Sequence, residues 1–129
     1  NLFRNRKLAA TVGSRMTKKI NALKGKMPLY KFVGNIFLTG IFNLLYETKF
    51  ADCHTGYWAY NFKLIKKKDF QNLDNSFCFD IDLRLQLVSE NKLIKEIPIE
   101  TFYGSERSSI HFIYAVRFFL KTIIFKIFK

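Results

Sequence analysis

Residues 29–46, LYKFVGNIFLTGIFNLLY, carry Leu29, Phe32, Val33, Ile36, Phe37, Ile41, Leu44 and Leu45 at the three- and four-residue spacing of an α-helix. No other feature narrows the choice of fold so far, because a helix of that length needs something to lie against. Lys31, Asn35 and Asn43 interrupt the run too often for a membrane span. The expectation is a buried helix packed on a sheet, with Pro28 as its first residue. Strands for that sheet are predicted over 8–13 (LAATVG), 57–62 and 93–103 (LIKEIPIETFY), where Pro98 marks a strand end or an edge strand. Gly13-Ser14-Arg15 reads as a turn, 16–27 as a mobile basic loop and 63–68 as a short basic helix. Asp80 is placed to cap a helix running to about Asn91, with Leu83, Leu87 and Val88 facing inward. The class is α/β.

With 129 residues the chain is one domain or part of one, and 49% hydrophobic residues exclude disorder. It opens without Met and without a signal peptide, and reads as a fragment whose upstream part is missing. Cys53 and Cys78 form no CxxC pair, which speaks against zinc; nothing demands an oxidising compartment, so both read as reduced and cytosolic, with a single disulfide as the alternative. The net charge of +12 is uneven: residues 1–46 contain nine Lys or Arg and no Asp or Glu. Such a half favours an anionic partner, whether phosphorylated ligand, anionic lipid or nucleic acid. Nucleic acid is the weaker choice, since no binding motif is present and the aromatics lie in apolar runs. Residues 110–128, IHFIYAVRFFLKTIIFKIF, are apolar around most of a helical circumference, with Arg117 and Lys121 on one face and Lys126 across from them. Three charges weigh against a span, so the expectation is an amphipathic helix on an anionic membrane surface at its cytoplasmic face; a buried terminal helix is the alternative.

The segment Asp52-Cys53-His54-Thr55-Gly56-Tyr57-Trp58-Ala59 resembles the D-x-x-[ST]-G-[FY]-x-A segment of family 2 glycosyltransferases with the GT-A fold. The closest subgroup is the dolichol- or polyprenyl-phosphate sugar transferases and their bacterial relatives. Further landmarks follow the family's order: Gly13-Ser14-Arg15, Met27-Pro28, Phe79-Asp80-Ile81-Asp82, Glu96-Ile97-Pro98-Ile99 and Arg107-Ser108-Ser109. The resemblance covers nearly the whole chain. It implies the C-terminal, acceptor-side half of a GT-A domain over 1–109, followed by the amphipathic helix over 110–129. The implied activity is transfer of a sugar, with inversion, from a nucleotide-sugar donor to a polyprenyl phosphate or another lipid-phosphate or glycan acceptor, as in cell-envelope glycan synthesis. The family's D-x-D metal motif and nucleotide site belong to the preceding half, so Mg²⁺ or Mn²⁺ is implied by resemblance alone and the fragment is expected to be inactive by itself. Trp58 stands where many relatives have Arg, which weakens any phosphate contact from that position.

The chemistry sets its own demands. A hydroxyl acceptor needs a carboxylate to take its proton. A lipid phosphate is already anionic and needs cations that hold two negative groups together. Asp52, as the resemblance implies, is an active-site acid near acceptor and sugar; the alternative is an Asx-turn. Asp80 is a base or acceptor contact, with Asp82 the lesser candidate, or both serve the start of their helix. Arg15 contacts phosphate by resemblance. Lys31 and Asn35, four apart, share one helix face; the resemblance implies that this face holds the lipid phosphate, where relatives often carry Arg and Ser. His54 touches phosphate or fills a turn, and Thr55 and Gly56 belong to the same substrate-binding turn, with Gly56 giving a backbone shape that side chains forbid. Arg107 with Ser108 would hold a phosphate or a headgroup. A non-catalytic membrane-surface module and a basic nucleic-acid-binding module are the rival functions.

Overall fold

A computed structural model describes residues 7–65, Leu73, 79–105 and 112–128. The elements run β1 (Leu8–Ser14), α1 (Lys19–Lys24), α2 (Leu29–Tyr46), β2 (Trp58–Tyr60), α3 (Phe79–Ser89), β3 (Leu93–Pro98) and α4 (Phe112–Phe128). The fold is mixed α/β, with a three-stranded sheet in the order β2-β1-β3. β1 is central. It pairs antiparallel with β2, Val12 opposite Trp58, and parallel with β3, Val12 opposite Glu96.

The sheet is short because its flanking strands are. β2 stops at Tyr60 rather than Phe62: Asn61 turns the chain, its carbonyl accepting from Leu64 N and its side chain from Lys63 N. Residues 62–64 form a turn, not a helix, and 66–68 lie outside the described residues. β3 ends at Pro98, opposite Ser14 where β1 ends, and Ile99 N makes the last bond across, to the Ser14 carbonyl at 3.0 Å. Gly13 and Ser14 belong to β1 rather than to a turn.

α3 is buried on most sides, with Ile81, Leu83, Arg84, Leu85, Leu87 and Val88 all inside. One side meets the sheet, where Leu83 and Leu87 pack with Ala9, Ala10 and Ile65. The other meets Phe42 of α2 and Phe118 of α4 through Ile81, Leu85 and Val88. α3 begins at Phe79, so Asp80 and Asp82 lie inside its first turn instead of capping it, and it ends at Ser89, short of Asn91. The loop expected over 16–27 contains α1; Met16, Ala22 and Met27 close a small core there with Phe32, Ala51 and Tyr103. Three apolar side chains in a basic segment suffice to fold it.

α2 departs most from expectation. It starts at Leu29, with Pro28 one residue outside as its N-cap. It does not lie buried on the sheet; its buried residues are only Asn35, Thr39 and Phe42. Leu29, Val33, Phe37 and Leu44 are 71, 62, 64 and 80% exposed. The inward side is mixed, with Asn35 and Thr39 buried beside Phe42, while much of the apolar surface faces outward. α4 sits beside it. Phe118 stacks on Phe42 at 6.3 Å, the Tyr46 hydroxyl donates to the Thr122 carbonyl at 2.9 Å, and Lys126 lies 5.5 Å over the Tyr46 ring. Phe118 and Thr122 are buried while Ile113, Leu120, Ile124 and Ile127 are exposed, so α4 is part of the folded body on one face and bare on the other.

Candidate functional site

The loop 51–57 is fixed from four directions. Glu96 of β3 accepts Ala51 N at 2.9 Å and Asp52 N at 3.1 Å. Thr39 of α2 accepts Cys53 N at 3.4 Å. Arg84 of α3 donates to the Cys53 carbonyl at 2.7 Å. Gly13 N of β1 donates to the Tyr57 carbonyl at 2.7 Å.

The loop presents the Asp52 carboxylate to Arg15. Arg15 Nε donates to Oδ2 at 2.7 Å and a terminal nitrogen to Oδ1 at 3.0 Å, a bidentate pair. Asn35 Nδ2 adds 2.8 Å and His54 N 3.2 Å, both to Oδ1. Asp52 is fully buried, and Arg15 is mostly so. Burial pushes the Asp52 carboxyl up, but the Arg15 guanidinium and Asn35 outweigh it and hold the group below the usual carboxylate range. For Arg15, burial acts downward, and Asp52 and Tyr103 outweigh it to leave the guanidinium more firmly charged than usual. The Asp52 oxygens are thus engaged by Arg15, Asn35 and the His54 amide, with no face to solvent. The His54 N contact is also the Asx-turn of the alternative reading.

The remaining Arg15 nitrogen donates to the Tyr103 hydroxyl at 3.0 Å, and Lys31 Nζ lies 5.7 Å over the Tyr103 ring. The structure thus brings Arg15, Lys31, Asn35, Asp52 and His54 together. Thr55 is buried and serves its own turn, accepting Tyr57 N at 3.2 Å. Gly56 does not supply a forbidden shape: no glycine among the described residues has positive φ, and a Cβ on Gly56 would meet nothing within 4 Å. The close approach is at Gly13 instead, where a Cβ would stand 3.0 Å from Tyr57 Cβ. Gly13, Gly56 and Tyr57 line a groove of about 390 Å³ with Ile97 and Ile99.

Asp80 and Asp82 stand apart from this cluster. Asp80 pairs with Arg84 and reaches the loop only through it. Asp82 pairs with Lys121 of α4 at 2.8 Å. Arg107 and Ser108 lie outside the described residues, as does Ser109. Among the described residues no three His, Cys, Asp or Glu side chains gather to hold a metal ion. Cys53 is a buried free thiol, pushed up to about 12 by burial.

Three contributors escaped the sequence reading. Glu96 was legible only as part of a strand. Tyr103 is one aromatic among many. Arg84 had a signal: it interrupts the apolar stripe Ile81, Leu85 and Val88 at helical spacing. Its guanidinium lies 4.9 Å over the Trp58 ring, a cation–π contact between α3 and β2.

No family model, no curated protein and no solved structure matches this chain.

Proposed function

We propose that the chain is the acceptor-side half of a GT-A, family 2 glycosyltransferase that moves a sugar from a nucleotide sugar to a polyprenyl phosphate at an anionic membrane surface. One observation carries the reading. Segments that resemble successive family landmarks meet around a single residue: Arg15, Asn35 and the His54 amide on the Asp52 carboxylate, and Glu96 on its backbone N–H.

The arrangement favours a phosphate acceptor over a hydroxyl. The candidate base carboxylates are all engaged, Asp52 by Arg15, Asp80 by Arg84 and Asp82 by Lys121. A lipid phosphate needs no base. It needs fixed cations, and Asp52 holds Arg15 in one orientation beside Lys31, with Tyr103 between them. Arg15 and Lys31 would grip the acceptor phosphate; the donor nucleotide and its Mg²⁺ or Mn²⁺ would come from the preceding half.

The test uses the full-length protein in membranes, with labelled UDP- or GDP-sugar and a polyprenyl phosphate. Lys31→Gln is expected to raise KM for the lipid phosphate and leave KM for the nucleotide sugar unchanged. Arg15→Gln is expected to cut transfer about a hundredfold. Equal KM shifts for donor and acceptor would defeat the assignment. Vesicle binding without any transfer would favour the non-catalytic membrane-surface module.

A further inference from the structure

The inner face of α2 is a polar stripe that repeats every fourth residue. Asn35 holds Asp52, Thr39 holds Cys53, and Asn43 holds the segment between: its Nδ2 donates to the Phe50 carbonyl at 2.8 Å, and its Oδ1 accepts Thr48 Oγ1 at 2.8 Å and Phe50 N at 2.9 Å. The opposite face carries Leu29, Tyr30, Val33, Ile36, Phe37 and Leu44, all exposed, with no charged residue among them. A water-facing helix has the reverse pattern, and a contiguous apolar face of this kind marks a surface that is covered in use.

Charge identifies the cover. Residues 1–46 hold nine Lys or Arg and no acid. Lys24 and Lys26 stand just before α2 and Lys49 just after it, all exposed. A second copy would bring like charges together across this face, whereas an anionic bilayer supplies both hydrocarbon and counter-charge. α2 is long and apolar enough to cross a membrane, but crossing would drag its hydrogen-bonded stripe and the Asp52 loop into hydrocarbon.

We infer that α2 lies flat on an anionic bilayer, its outer apolar face among the acyl chains, and holds the Arg15–Asp52 centre one helix thickness beneath the headgroups. That thickness is about 10 Å. The inference rests on the transferase reading proposed above, and names the surface from which its lipid phosphate would be taken. It also assigns docking to a helix other than α4.

The experiment is vesicle flotation of the 129-residue chain. The vesicles are phosphatidylcholine–phosphatidylglycerol mixtures or phosphatidylcholine alone. Binding is expected to the anionic vesicles and to weaken as salt rises. Phe37→Glu with Leu44→Glu is expected to lower the affinity about tenfold or more, since both side chains would leave hydrocarbon. A Phe37→Trp variant, which keeps the face apolar, is expected to lose fluorescence to lipids brominated on their acyl chains beyond what the wild-type chain loses from Trp58 alone, and it decides the matter if the double variant fails to fold. Wild-type flotation of the folded double variant, or Phe37→Trp fluorescence that the brominated lipids quench no more than that of the wild-type chain, would overturn the inference. So would self-association in lipid-free buffer that the double variant abolishes, because the face would then belong to a dimer. Flotation is independent of sugar transfer: docking without transfer removes the transferase reading alone, and transfer without docking removes this one.

Discussion

The His54 ring lies 4.1 Å from that of Phe118, and its Nε2 has no partner among the described residues. Burial lowers its pKa to about 4, against about 6.5 in an unfolded chain. Between those values the unfolded chain binds a proton that the folded chain refuses, so stability rises with pH. His54 contributes fully above about pH 6.5, and about 3 kcal/mol of stability is lost as the pH falls toward 4. Urea midpoints measured down this range are expected to fall, and His54→Phe is expected to flatten them; an unaltered slope in that variant would place the titration elsewhere. Asp52 acts at lower pH. Its folded value is depressed, so its contribution is present above the ordinary carboxylate value and disappears only as pH drops below it. Asp52, Arg15 and Asn35 stood out in the sequence because they sit in compact patterns. Glu96 and Tyr103 did not, because their roles arise only when β3 is laid beside β1 and the chain returns past α1.

That return depends on one glycine. A Cβ on Gly25 would stand 2.0 Å from the Thr101 carbonyl oxygen, while Tyr103 N donates to the Gly25 carbonyl at 2.7 Å. Gly25→Ala must push this segment, and with it Tyr103, away from Arg15. The expected loss is about 2 kcal/mol, read from thermal unfolding; an unchanged midpoint would show that the segment yields freely. Among the elements, α2 was legible in its limits but not in its orientation, since a helix with much of its apolar surface outward has the same period as an ordinary one. The clue was Asn35 and Asn43, which interrupt the apolar run because Asn35 is buried beside Thr39 and Phe42 and Asn43 is half-buried against the 48–50 segment. α1 escaped because a six-residue basic helix owes its existence to Met16, Ala22 and Met27, which are far weaker signals than periodicity.

Across the molecule, α4 closes the core from one side, with Phe118 and Thr122 buried and Lys121 bound to Asp82. A chain ending at residue 109 is expected to lose cooperative unfolding, because it leaves Phe42, Ile81 and Val88 uncovered. A sharp transition at the full-length midpoint would contradict this. Deletion is therefore a poor probe of membrane contact, and point substitutions on outward faces are the informative ones. The α/β class could be read from the alternation of periods, whereas the strand order β2-β1-β3 could not, because pairing partners leave no trace in a single chain. Glu96 has a consequence for assembly. The edge strand β3 is only partly buried, so its apolar pattern is a weak guide to alignment. A slip by one residue would turn Glu96 to the opposite face and offer the neighbouring Lys95 to the Ala51 and Asp52 amides. A cation facing two N–H donors is repelled, so one carboxylate acts as a keyed latch that accepts the sheet in a single alignment.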